Sequence, residues 1–328
     1  MKKRVLSGIR ATGGLHLGNY LGAIKGMFAL QEDVAYENLY MVADLHTLTT
    51  PYKVEELRKH RREIVLDYLA AGLDPKKSIL FQQSSNVYHA ELAFYFSSVM
   101  TIARMQHLPT FKDKVKQHPE SATMALLNYP ILMASDILIY KANFVPVGLD
   151  QEPHIEVARE IARKMNQEYG MDFPEPQRFK TEGEYVPSLT GEGKMSKSVD
   201  GSYINLTDDL DAIKTKLAKV PTDSGTLGGN IPQQGGVANL FTLLKLFEDK
   251  EVFVKFVIYY REGKIRYSEL KQVLADAIYK ELQPFQKKRK YFEEHPEEVD
   301  QIIKEGNEKA TELAAKTLQE VKQKMGLL

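Results

Sequence analysis

The chain has 328 residues, 43% hydrophobic and 27% charged, which suits a globular protein of two domains, or one large α/β domain with an appendage, and nothing in it calls for a fibrous or disordered reading. Its 44 basic and 44 acidic residues cancel, so overall charge announces no nucleic-acid partner and any basic patch has to be local. Cysteine is absent, which removes disulfides, thiolate catalysis, Cys-ligated zinc and iron–sulfur clusters together and fits a reducing cytoplasm.

MKKRVLSGIR carries basic residues without an apolar stretch of signal-peptide length, and no apolar run is long enough to span a bilayer. A cytoplasmic location with no membrane partner is expected. RVLSGI predicts a short strand, followed by a glycine-rich turn and a helix over NYLGAIKGMFALQE. NLYMVADL predicts a second strand, TPYKVEELRKHRREIVLDYLAAGLD a helix closed by Gly72, and KSILFQQ a third strand. This alternation predicts an α/β fold over residues 1–200, a doubly wound parallel sheet of Rossmann-like type with ligands beyond the carboxyl ends of its strands. Residues 201–328 change texture and predict an all-helical domain, with Thr207, Asp208 and Asp209 as a capped helix start and 221–236 as a surface loop.

Residues 7–23 read SGIRATGGLHLGNYLGA. A strand, a Gly13-Gly14 turn and a helix starting near Gly18 present backbone N–H groups to an anion, and glycine admits a flat base or phosphate close to the backbone. His16 and Asn19 are candidate donors to phosphate or ribose oxygens. The turn fits neither G-x-G-x-x-G nor the P-loop pattern, and a tight strand-to-helix connection explains it equally well. GKMSKSVDG, residues 193–201, sets Lys194 and Lys197 three apart in a flexible loop. Such a cationic clamp suits a polyphosphate whose charge must be offset while a bond breaks. A solvated loop accounts for most Lys-x-x-Lys pairs, but the full string Lys194-Met195-Ser196-Lys197-Ser198 is far rarer by chance.

GGLHLGN resembles the His-Ile-Gly-His signature of class I aminoacyl-tRNA synthetases, with Asn19 in place of the final histidine, and KMSKS is that class's second signature verbatim. Residues 128–166, with VADLHTLTT (42–50) and PTDSGT (221–226), resemble the tryptophanyl-tRNA synthetases of that class, and the similarity covers essentially the whole chain. The resemblance implies a catalytic domain ending in the lysine loop and a helical domain that binds the tRNA anticodon, its last helix packing back on the catalytic domain. It implies ATP, Mg2+ and L-tryptophan as small molecules, tRNA(Trp) as partner, and a homodimer.

An indole offers one N–H donor and no acceptor on a flat apolar body, so a specific site needs apolar walls and one acceptor. Asp136 in LMASDIL is an acid in an otherwise apolar helix, where an unpaired charge is costly. Alone it reads as a capping or ion-pairing residue; the resemblance makes it the indole N–H acceptor. Met133, one turn earlier, shares its face, and Val145 and Val147 flank Pro146 on one side of an extended segment. Each is equally ordinary core; the resemblance makes them pocket walls, with Leu6 where tyrosyl relatives typically carry a tyrosine. It also implies substrate contacts for His46, and for Tyr129 and Gln151 at the α-amino group.

For ATP the resemblance implies Arg10, Ala11, Thr12, His16, Gly18 and Asn19, then Gly148 and Asp150 at the ribose, Val186 at the adenine, and Lys194, Met195, Ser196, Lys197 and Ser198 of the lysine loop. Lys194, Lys197 and Lys114 of FKDKVK are the implied catalytic groups, and no protein metal ligands are expected. The family commonly has glutamate where this chain has Leu149, and often proline at Ala11. QKKRK, 286–290, is a basic cluster that a solvated helix face explains as well as a tRNA surface does. A small-molecule adenylyltransferase is disfavoured by the helical second half and MASD; a non-catalytic paralogue is disfavoured by intact KMSKS, Asn19 and Asp136.

Overall fold

The computed structural model describes residues 2–117, 122–180, 183–197, 199–224 and 229–328. Five strands, β1 (Lys3–Arg10), β2 (Tyr36–Ala43), β3 (Ser78–Gln82), β4 (Phe144–Pro146) and β5 (Gln177–Phe179), form one sheet in the order β3-β2-β1-β4-β5. Every neighbouring pair is parallel. In β2 the run Leu39 to Ala43 is buried throughout, as expected of a parallel strand covered on both faces. The connection order reverses between β1 and β4, and that switch point opens a crevice at the carboxyl ends of the two strands.

The first crossover runs through α1 (Leu17–Asn19), a π turn (Tyr20–Ile24) and α2 (Lys25–Ala29). The sequence predicts one plain helix there. At the π turn the Leu21 carbonyl accepts from the Glu184 amide at 3.0 Å, a contact from outside that goes with a widened local ladder. The remaining helices of the first half are α3 (Val54–Ala70), α4 (Tyr88–Ser97), α5 (Ile102–Gln106), α6 (Pro109–Gln117), α7 (Met124–Ile139) and α8 (Glu152–Tyr169). Gly72, with φ of +109°, turns the chain out of α3 at a conformation glycine adopts freely.

The second half contains α9 (Leu210–Ala218), α10 (Gly236–Phe247), α11 (Lys250–Arg261), α12 (Tyr267–Glu294) and α13 (Pro296–Lys324). Asp209 alone caps α9, accepting from the Ala212 amide at 2.8 Å, while Asp208 turns to Asn205 and Lys216. KEVFVKFVIYYR, within the region expected to be helical, is rich in Val, Ile, Phe and Tyr, which favour strands. It folds as α11 with an Asp249 cap and buries Phe256 and Tyr260, one turn apart.

One apolar cluster joins Leu17 and Ile64 to Leu240, Leu274 and Val299, and a second joins Phe81 and Leu92 to Ala310, Leu318 and Val321, so the core runs across residue 200. The long helix α13 lies against the edge strand β3. Asn307 Oδ1 accepts from the Gln82 amide at 2.9 Å, which occupies one of the edge's free donors. A Cβ on Gly306 would come within 1.7 Å of the Leu80 carbonyl oxygen, so this approach requires glycine. By helix propensity Gly306→Ala is expected to stabilise a helix by about 1 kcal/mol. Here it should destabilise the protein by about 2 kcal/mol, because α13 must lift from β3. Thermal denaturation checks the sign: a melting temperature at or above wild type contradicts this packing.

Candidate active site

A cavity of about 380 Å³ opens at the β1/β4 switch point. From β1 it takes Leu6 and Arg10, from α6 Lys114, from α7 Tyr129, Met133 and Asp136, and from β4 and beyond Val145, Val147 and Gln151, with His46 facing them. The structure thus brings these ten sequence-predicted residues to one wall-and-floor arrangement. Val145 and Val147 line it together, as their two-residue spacing requires.

Asp136 is 2% exposed. His46 Nε2 lies 2.8 Å from its Oδ2, while Gln83 Nε2 (2.8 Å) and His89 Nδ1 (2.7 Å) reach its Oδ1. Burial pushes the carboxyl up, but the hydrogen bonds from His46 and His89 outweigh it and hold Asp136 below the usual carboxylate range. The result is a buried acceptor in an apolar wall. Gln83 and His89 escape the sequence reading, since a glutamine after a strand and a histidine on an amphipathic helix carry no pattern of their own.

At the opposite end, Gln151 donates from Nε2 to Asp150 Oδ2 at 2.7 Å and accepts at Oε1 from His154 Nδ1 at 2.9 Å. Tyr129 and Thr110 hydroxyls lie 2.7 and 2.8 Å from His154 Nε2 and 2.7 Å from one another. This chain assigns Nδ1–H to a neutral His154; burial lowers its pKa and Asp150 opposes that. Tyr129 spends its proton within the chain and keeps a lone pair for an ammonium group. His154 lies within residues 128–166, three residues after Gln151, the N-cap residue of α8, and that spacing is the signal that finds it. Gly148 begins the turn before α8, where a Cβ would sit 2.4 Å from Asp150 Oδ1.

A second cluster forms around 13–19. Among the described residues, Ala11, Thr12, His16, Gly18, Asn19, Val186, Lys194, Met195, Ser196 and Lys197 do not line the cavity; Ser198 lies outside the described residues. Residues 186–195 make a hairpin in which Met195 N donates to Val186 O (3.1 Å) and Ser188 N to Gly193 O (2.9 Å). Lys194 is exposed on it. Ala11 and Val186 are buried, so any ligand there meets backbone rather than their methyl groups. The two signatures touch: a Cβ on Gly18 would fall 2.9 Å from Met195 Cβ, and one on Gly13 3.3 Å from Lys197 Nζ. Burial lowers the Lys197 pKa, with Glu63 opposing.

Asp67, unread in the sequence, anchors the turn. Its Oδ2 accepts from the Leu15 amide at 2.6 Å and its Oδ1 pairs with Arg289 of α12. Of the QKKRK cluster, Arg289 therefore points inward, as does Gln286, which donates to the Leu206 and Asp208 carbonyls at 2.9 Å each.

His16 and Asn19 form a reciprocal capping box on α1: His16 Nδ1 accepts from the Asn19 amide and Asn19 Oδ1 from the His16 amide, both at 3.3 Å. Burial and then Lys197 lower the His16 pKa to about 4. The unfolded chain binds this proton first, so the stabilisation is complete above about pH 6.5 and lost as pH falls from there through about 4. His16→Asn keeps a capping acceptor without the titration. Calorimetry between pH 7 and 4.5 should show a shallower fall in melting temperature for the variant; parallel curves contradict the assignment.

A family model described as tRNA synthetases class I (W and Y) matches residues 1–283. The tryptophan–tRNA ligase of Caldanaerobacter subterraneus is 41% identical, with 99% of each chain covered, and that of Porphyromonas gingivalis is 39% identical, with 98% of each covered. The solved tryptophanyl-tRNA synthetase from Campylobacter jejuni, complexed with ADP and tryptophan, superposes with a TM-score of 0.89 at 31% identity, over 98% of this chain and 99% of that one. The chain belongs to the class I tRNA synthetases of the tryptophan and tyrosine group, and within it to the tryptophan–tRNA ligases.

Proposed function

We propose that this enzyme activates L-tryptophan with ATP and transfers it to the terminal adenosine of tRNA(Trp), releasing pyrophosphate and AMP. The buried Asp136 carboxylate in an apolar cavity is the observation that carries the choice of amino acid. Its Oδ1 already accepts from Gln83 and His89, and Oδ2 from His46, so one lone pair of Oδ2 is available to an indole N–H. Leu6, Met133, Val145 and Val147 are the apolar walls, His46 closes the indole end, and Tyr129 with Gln151 receives the α-amino group.

The tryptophan carboxylate is ionised at neutral pH and attacks the α-phosphorus of ATP directly; the bond to pyrophosphate breaks, with no general base and no covalent enzyme intermediate. Catalysis is positioning plus charge stabilisation. Lys194, Lys197 and Lys114 offset the charge on the leaving phosphates. Arg10, Ala11, Thr12, His16, Gly18 and Asn19 carry the nucleotide on one side, and Met195 with Ser196 and Ser198 closes the other. Gly148 and Asp150 take the ribose, and Val186 the adenine. No group of three or more His, Asp or Glu residues suited to a metal ion occurs among the described residues. Mg2+ would enter with the substrate, held mostly by ATP and water, so no carboxylate cage is required of the protein.

Residues 1–200 form the catalytic part and 201–328 the part that reads the anticodon, in a cytoplasmic homodimer. No described helix is long and apolar enough to cross a membrane.

ATP–pyrophosphate exchange tests the reading. Exchange should depend on tryptophan and stay near background with tyrosine or no amino acid; exchange supported by tyrosine alone overturns it. Lys197→Ala should lower the tryptophan-dependent rate about 100-fold, the usual effect of removing one donor to developing charge. An unchanged rate removes Lys197 from the clamp.

A further inference from the structure

Behind the cavity wall, Asp136 is the end of a hydrogen-bond chain whose direction is fixed link by link. The Tyr88 amide donates to Asn86 Oδ1 at 3.1 Å, so the Asn86 side chain presents Nδ2 on its other side. Nδ2 lies 3.5 Å from the Tyr140 hydroxyl oxygen, which spends an acceptor site there and directs the phenol proton elsewhere. That proton faces His89 Nε2 at 2.8 Å, and burial keeps it in place by pushing the phenol pKa far up. With Nε2 accepting from that hydroxyl, Nδ1 carries the hydrogen and donates to Asp136 Oδ1 at 2.7 Å.

The second donor to Oδ1 is oriented in the same way. Gln83 Oε1 accepts from the Leu45 amide at 3.0 Å, so its Nε2 points to Asp136 at 2.8 Å. His89 is itself held: Ser135 Oγ donates to its backbone carbonyl at 2.7 Å, and its ring stacks on Phe81 at 6.1 Å. Asn86, His89 and Tyr140 are buried. A network of this kind, with every member satisfied, holds one geometry.

The geometry points to His89 and Tyr140 as positioning residues for recognition of the substrate nitrogen. Tyr140 holds the His89 ring at its Nε2, and the ring with Gln83 saturates Oδ1, so that Oδ2 is the carboxylate oxygen with capacity for a ligand N–H. Neither residue lines the cavity, and both act through Asp136. This inference rests on the tryptophan reading above.

The chemistry sets the test. Benzothienylalanine has the shape of tryptophan with sulfur in place of the indole N–H, so the ratio of kcat/KM values for the two amino acids in ATP–pyrophosphate exchange reports the hydrogen bond and not the packing. Tyr140→Phe leaves His89 Nε2 without its partner in a buried site, so the ring loses the contact that aims its Nδ1–H at Asp136. It should raise the KM for tryptophan about tenfold, leave the KM for ATP and the KM for benzothienylalanine within about twofold, and so erase about tenfold of the preference. His89→Asn supplies an amide donor at the Nδ1 position that does not depend on the Tyr140 hydroxyl. Its preference should stay within about twofold of wild type, and adding Tyr140→Phe to it should change little.

Equal losses for both amino acids, or additive effects of the two substitutions, overturn the inference. Wild-type exchange that does not prefer tryptophan overturns the Asp136 assignment beneath it, which keeps the two failures apart. Should Tyr140→Phe not fold, NMR of isotope-labelled histidine in the wild-type protein decides: a hydrogen on His89 Nδ1 and a bare Nε2 support the inference, and the opposite tautomer overturns it.

Discussion

The site depends on keeping one carboxylate ionised inside an apolar wall. An unpaired charge at the place of Asp136 costs several kcal/mol, and taking one partner from a buried charged pair typically costs about 3–5 kcal/mol. The structure meets this by directing His46, His89 and Gln83 at the carboxylate from three different elements. Those partners stand 90, 47 and 53 residues away in sequence. The loop after β2, the turn after β3, α4 and α7 must therefore all be in register before the acceptor exists, which ties recognition chemistry to completion of the fold.

The nucleotide side rests on a comparable device. Asp67 on α3 takes the Leu15 amide from the glycine-rich turn and Arg289 from α12, so an acid in the first half of the chain joins the turn to a helix of the second. Residues 204–206 add a backbone tie, with Leu17 N donating to Ile204 O and Leu206 N to Leu15 O. The segment that follows the lysines is thereby tethered to the turn. The approach of Lys197 to Gly13 follows from this tethering and from the absence of side chains at Gly13 and Gly18.

Much of this was legible in the chain. Strand–helix alternation fixes the parallel sheet, and the switch point fixes where ligands enter. An acid within an apolar helical run is the local signal for Asp136 in LMASDIL, and IVLDYLA around Asp67 carries the same signal without any accompanying motif to give it a meaning. The partners of both acids were not legible. Each lies dozens of residues away on a different element, and pairing across that distance is a property of the assembled sheet. The contact of Glu184 with the π turn at Tyr20–Ile24 is of the same long-range kind. The α11 segment shows the reverse case, where apolar burial of Phe256 and Tyr260 overrides strand propensity. The inward turn of Arg289 shows that a run of like charges conceals a buried member when the pattern alone is read.

The most direct measurement is a structure of this protein with tryptophan bound. The indole nitrogen should lie about 3 Å from Asp136 Oδ2, with Gln83 and His89 still on Oδ1 and the ring between Leu6, Met133, Val145 and Val147. An indole nitrogen placed on another group, or on Oδ1 with His89 displaced, contradicts it.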